Sequence, residues 1–256
     1  MASNEIKSCC YQGVTHDGQP QGRVVPLGET EAYIVEPKSP KDVALVVLTD
    51  ILGHKFVNAQ LIADQFAANG YTVLVPDLFH GDPVPLNADM TTFSLPDWMQ
   101  GKLGSKNIPH VPDTVDPIVA ASLQYLKEKY NPKKIAAIGY CFGAKYVVRG
   151  LGVAANTFTF DAGYIAHPAM VTTEELAAIK GPLAIAAAEV DEIFPTNLRH
   201  DSEAILLQTG FPYQLNVYSG VTHGFAVRCD LSDKRQKYAK ESAFLLALQW
   251  FDEYLK

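Results

Sequence analysis

The pentapeptide Gly139-Tyr140-Cys141-Phe142-Gly143 constrains this chain more than any other stretch. It follows the apolar run Ile135-Ala136-Ala137-Ile138 and leads directly into a segment able to form a helix. A strand that turns at once into a helix lifts the central side chain above the sheet, the arrangement called a nucleophile elbow. Glycines on both sides suit it, because so tight a turn leaves no room for a β-carbon. The lifted residue here is a cysteine. The bland alternative, a small buried hydrophobe at a strand end, leaves the paired glycines unexplained. The chain before the elbow must then build half a sheet, and the chain after it must supply an acid and a base.

The surrounding pattern provides that sheet. Residues 43–48 and 71–75 are unbroken aliphatic and β-branched runs, which read as parallel strands buried on both faces. Residues 30–35 read as an early edge strand. Between the two buried strands, Asn58 is placed to cap a helix carrying Leu61, Ile62 and Phe66, closed by Gly70. Residues 114–130 read as a helix. Beyond the elbow, strands at 162–166, 183–188 and 213–218 alternate with helices at 173–179 and 196–207, and an amphipathic helix closes the chain over 234–255. This alternation predicts an α/β protein with a mostly parallel sheet flanked by helices on both faces. Periodicity fails over 78–112, where Pro83, Pro85, Pro96, Pro109 and Pro112 fall; we expect a lid or pocket wall of a single domain. Residues 1–30 are polar and turn-rich and read as an ordered leader or a surface hairpin. Its Cys9-Cys10 pair reads as structural or surface, with a redox role as the alternative.

Composition sets limits on function. A chain of 256 residues with 48% hydrophobic content is large enough for one sizeable core. A formal net charge of -7 disfavours nucleic acid and anionic membranes as partners. There is no apolar run long enough to span a bilayer and no secretory pattern at the start. Four cysteines, Cys9, Cys10, Cys141 and Cys229, are too few for a disulfide scaffold, and no metal-type spacing joins them to histidines. The expectation is a cytoplasmic protein, monomer or homodimer, with a small-molecule substrate, no cofactor and no metal.

A cysteine nucleophile needs a base, and the base needs a group to orient it. In folds built around such an elbow the order along the chain is nucleophile, acid, base. Asp191 and His223 follow Cys141 in that order, each just past a strand, where open α/β sheets place their ligands. Glu189 and Glu192 rival Asp191, and an acid there can instead cap the next helix. His223 alone reads equally well as a satisfied loop histidine. His167, at another strand end, reads as a supporting or pocket residue, and Cys229 as structural. Arg228 is either a surface charge or a carboxylate anchor. The oxyanion of a tetrahedral intermediate would be held by the amides of Phe142 and of Ile51, in the loop after the 43–48 strand. His54, Trp98, Tyr140 and Phe225 join His167 and Arg228 as candidate pocket residues.

Gly-Tyr-Cys-Phe-Gly at 139–143, Glu-Val-Asp at 189–191 and His-Gly-Phe at 223–225, with Thr-Asp-Ile-Leu-Gly at 49–53 and Pro-Asp-Leu-Phe at 76–79, resemble the dienelactone hydrolase (carboxymethylenebutenolidase-like) family over nearly the whole chain. The leader Cys-Cys-Tyr-Gln-Gly-Val-Thr-His-Asp-Gly at 9–18 resembles that of fungal members. The resemblance implies an α/β-hydrolase fold and a Cys141-His223-Asp191 triad. Bacterial members restrain the resting thiol with a glutamate, whose position here holds Asp50, one methylene shorter. They also anchor a substrate carboxylate with two arginines. This chain has none between Arg23 and Arg149, and the second falls near Arg228, displaced by one residue. Some fungal relatives act on lactones or cyclic anhydrides in secondary metabolism. The expected activity is therefore a cysteine hydrolase opening a lactone, cyclic anhydride or activated ester. The competing expectations are a broad thioesterase or arylesterase and, in another class, a non-catalytic small-molecule-binding protein on the same fold.

Overall fold

A hairpin opens the sheet. Arg23–Leu27 (β1) pairs antiparallel with Thr30–Val35 (β2) across a two-residue loop in which Gly28 takes a positive φ of 60°, a conformation that costs glycine little. Pro26 within β1 lacks a ladder donor, which suits the outer strand. The remaining elements follow as β3 (Val43–Leu48), α1 (Val57–Ala68), β4 (Thr72–Pro76), α2 (Leu95–Met99), α3 (Pro112–Tyr130), β5 (Lys134–Tyr140), α4 (Phe142–Leu151), β6 (Gly163–Ala166), α5 (Thr173–Ala177), β7 (Leu183–Val190), α6 (Thr196–Thr209), β8 (Tyr213–Thr222), α7 (Phe225–Arg228) and α8 (Lys234–Tyr254). This computed structural model describes residues 1–89 and 91–256. Met90, inside the 78–112 segment, lies outside the described residues.

The eight strands run in the order β1-β2-β4-β3-β5-β6-β7-β8. The β1–β2 and β2–β4 pairs are antiparallel and the others parallel. The fully aliphatic β3 sits near the middle, and its residues divide by alternation between two cores. Ala44, Val46 and Leu48 face the layer built by α3, α4, α5 and α6. Leu45 and Val47 face the layer of α1, α7 and α8, among Phe66, Phe225 and Phe251. Behind the elbow, Arg149 of α4 bridges Asp116 of α3 and Glu175 of α5, and Lys145 also bonds Glu175. No helix among the described residues is long and apolar enough to cross a membrane.

Three local expectations change. The 30–35 strand is internal, because β1 takes the outer place beside it. The residue preceding α1 is Phe56, and Asn58 is not the cap. The Asn58 side chain is fully buried instead, donating to the carbonyls of Val14 and Val227 and accepting from the His16 amide. Thus Asn58 pins the leader to the body. The leader is no surface hairpin, since Cys10 and Tyr11 are fully buried and Ser8–Cys10 forms a short 3-10 turn. The 78–112 segment is also packed inward. Trp98 donates from Nε1 to the Asp82 carbonyl, and Phe79 and Trp98 lie against the Phe142 ring.

Candidate active site

Cys141 joins β5 to α4 with φ 51° and ψ -108°, a backbone state that costs a non-glycine residue on the order of 1–3 kcal/mol. Packing on both sides holds it there. A β-carbon on Gly139 would stand 2.6 Å from Ala144 Cα, and one on Gly143 only 2.1 Å from the Leu48 carbonyl oxygen. The Gly143 amide donates to the Thr49 carbonyl, tying the elbow to the end of β3. Both glycines are therefore required by close approach of neighbouring chain.

The acid and base converge from the ends of β7 and β8. Asp191 Oδ2 lies 2.9 Å from His223 Nδ1. Asp191 Oδ1 also accepts from the Ile193 and Phe194 amides. The rivals separate cleanly: Glu189 is exposed on Ser219 and Gly220, and Glu192 is exposed beside Lys7. Burial disfavours the Asp191 carboxylate, but the His223 charge and those amides outweigh it and hold its pKa below the usual range. Burial likewise opposes an imidazolium at His223. Cys10 and Asp191 outweigh that, and the His223 pKa is raised to about 10.

The other ring nitrogen of His223, Nε2, lies 3.6 Å from the sulfur of Cys10. The donor atoms of Cys10, Cys141 and His223 all lie within 4.8 Å of one another. Burial, followed by the neighbouring Cys141 thiol, pushes the Cys10 thiol pKa up. Cys141 is fully buried, and Asp191 and His223 are each only 6% exposed. Cys141 is thus closed off from solvent, with Cys10 of the leader beside it. Cys10 is the site residue that sequence reasoning missed. Its one signal was the leader's likeness to fungal relatives.

Asp50, the residue at the position of the thiol-restraining carboxylate, is buried and fully bonded. Its carboxylate meets Arg228 Nη1 at 2.5 Å and the Leu52 amide. Burial raises its pKa, while Arg228 and that amide pull it back. Arg228 is not a surface charge. It is 2% exposed, and it also donates to the Gln12 and Cys9 carbonyls of the leader. Phe142 begins α4, so its amide has no acceptor within the helix. Ile51 is buried, and its carbonyl accepts from the Val84 amide.

The remaining pocket candidates scatter. His54 bonds Glu31 and faces Asp77, and Trp98 is sealed behind Phe142 with no exposure. Tyr140 points to the other layer, lining a cavity of about 430 Å³ with Tyr164 and Lys240. His167 and Phe225 do adjoin the site. The His167 ring stands edge-on to His223 at 4.9 Å and to Phe225 at 5.8 Å, and burial holds His167 neutral.

A mostly parallel eight-stranded sheet of this order, with an elbow, an acid and a histidine at the carboxyl ends of its strands, defines an α/β hydrolase. Residues 30–255 match the model of the dienelactone hydrolase family, and the chain belongs to that family, whose members hydrolyse ester bonds. It is 51% identical to hydrolase tropI of Talaromyces stipitatus over 257 residues, covering 100% of this chain and 99% of the relative. It is 45% identical to hydrolase pyvD of Aspergillus violaceofuscus, covering 100% of both. The dienelactone hydrolase structure from Anabaena variabilis shares the fold with a TM-score of 0.65 at 15% identity, over 93% of this chain and 100% of that one.

Proposed function

We propose that the protein opens a lactone, cyclic anhydride or similarly activated ester of a small molecule by nucleophilic catalysis at Cys141. The observation that carries this reading is the His223–Asp191 pair at 2.9 Å, set within reach of a cysteine on a strained elbow. Cys141 Sγ attacks the carbonyl carbon as the thiolate of an ion pair with the His223 imidazolium, whose Nδ1 proton Asp191 holds. The amides of Phe142 and Ile51 receive the oxyanion. The C–O bond then breaks, and His223 returns the proton to the leaving oxygen. A water deprotonated by His223 hydrolyses the thioester, releasing the carboxylic acid and restoring the thiol.

The substrate class follows from leaving-group chemistry. A thiolate leaves a tetrahedral intermediate more readily than an ordinary alkoxide does. Turnover therefore favours an enolate, phenolate or carboxylate leaving group. The fungal relatives at 51% and 45% identity make fungal secondary metabolism the setting of this proposal. The test is Cys141→Ala, assayed on an enol lactone and an aryl ester. We expect hydrolysis to vanish with an unchanged circular dichroism spectrum. Wild-type turnover by the folded variant would overturn the reading.

A further inference from the structure

Cys10, Cys141 and His223 come from the leader, the elbow and the loop after β8. Together they place two sulfurs and an imidazole nitrogen within 4.8 Å of one another. The hydrolytic reading uses two of them and leaves Cys10, fully buried, without a part. We infer that these three side chains form a binding site for a thiophilic divalent cation of the zinc type, which competes with substrate for Cys141.

The geometry fits such an ion closely. With Zn–S near 2.3 Å and Zn–N near 2.0–2.1 Å in a tetrahedron, a sulfur and a nitrogen ligand stand about 3.5 Å apart. Cys10 Sγ and His223 Nε2 are 3.6 Å apart. Two thiolates on one such ion stand about 3.8 Å apart, so the cluster limit of 4.8 Å needs at most a small side-chain rotation. His223 already donates from Nδ1 to Asp191 at 2.9 Å. That carboxylate–histidine pairing orients the ring, so that Nε2 faces the ion once its own proton has left. Two thiolates and an imidazole form a soft donor set that prefers zinc-like ions to magnesium or calcium. Three protein ligands leave the fourth position to water.

Binding proceeds by loss to solvent of one proton from each thiol and one from His223 Nε2 as the two metal–sulfur bonds and the metal–nitrogen bond form, with no oxidant or reductant involved. Occupancy removes the Cys141 nucleophile and the His223 lone pair together. Inhibition by the ion therefore rests on the hydrolytic mechanism proposed above, whereas binding does not.

The test reads binding directly. The reduced full-length protein is titrated with Cd²⁺ while the thiolate-to-cadmium charge-transfer absorbance is followed. Saturation is expected at one equivalent, undisturbed by excess Mg²⁺. Cys10→Ser should lose about half the band and, like Asp191→Asn, bind at least about tenfold more weakly. Cys9→Ser should match wild type. Equal affinity in Cys10→Ser, or no band at one equivalent, would overturn the site. Should Cys10→Ser misfold, Co²⁺ in the wild type decides: a tetrahedral visible spectrum with thiolate charge transfer supports the site, and an octahedral spectrum without it refutes it. Parallel hydrolysis assays with Zn²⁺ separate a failure of this site from a failure of the hydrolytic reading.

Discussion

Arg228 and Asp50 form a sealed ion pair, Nη1 to Oδ2 at 2.5 Å, with side chains 1% and 0% exposed. The same guanidinium holds the Cys9 and Gln12 carbonyls, so one cation ties the oxyanion-side loop to the leader. Removing it strands a buried carboxylate, a change worth about 3–5 kcal/mol. Arg228→Ala should lower unfolding stability by that order in a urea titration. The double variant Arg228→Met/Asp50→Asn should recover much of the loss, since it leaves no unpaired charge. A double variant as unstable as the single one would contradict this account.

Asp191 Oδ2 stands 2.9 Å from His223 Nδ1, and in the proposed mechanism it keeps the neutral ring's proton on that nitrogen. With Asp191→Asn the amide NH₂ faces Nδ1 and favours the tautomer with Nε2 protonated, which cannot accept from a thiol. The kcat on an enol lactone should fall about 10³–10⁴-fold, with little change in KM. Steady-state kinetics on the folded variant check this.

The raised His223 pKa also makes stability depend on pH. Its folded-state pKa of about 10 lies above the unfolded value near 6.5. The stabilisation is therefore complete below about 6.5 and is lost as pH rises towards 10. In that window the native state binds more protons than the unfolded one, so unfolding free energy falls with rising pH, by up to about 1.4 kcal/mol per unit. Denaturation at several pH values should show this slope. The slope should shrink in Asp191→Asn, where the imidazolium loses its carboxylate.

Asn58 ties the leader that carries Cys10 to the body of the protein. It makes bonds of 2.7, 2.9 and 3.1 Å to His16, Val14 and Val227, all from a buried position. Asn58→Ala should cost about 1–3 kcal/mol. It should also speed alkylation of Cys141 by iodoacetamide, followed by peptide mass spectrometry. An unchanged alkylation rate would mean that the leader does not control access.

The elbow glycines give a steric prediction. Gly143→Ala sets a β-carbon 2.1 Å from the Leu48 carbonyl oxygen, which backbone cannot accommodate without moving β3 or α4. Overpacking of this kind costs about 1–3 kcal/mol or more. Thermal unfolding should show the loss, together with reduced activity as the Phe142 amide shifts.

Sequence alone determined the buried parallel strands, the elbow and the chain order of Cys141, Asp191 and His223. These are written in local signals: an aliphatic run where a strand is buried on both faces, glycines where chain approaches chain, a polar residue just past a strand. The choice among Glu189, Asp191 and Glu192 was not local. It turned on which carboxylate the β7 terminus directs inward, and only Asp191 meets His223. The same holds for Asn58, whose cap-like sequence position hides a buried bracket for the leader. Tertiary structure also decided that β2 is internal, that Asp50 belongs to Arg228, and that Cys10 stands beside a histidine 213 residues away. Periodicity and turn chemistry report each residue's immediate neighbours along the chain. They carry no record of which distant groups share one dry, low-dielectric space, and in this protein that sharing decides what surrounds Cys141.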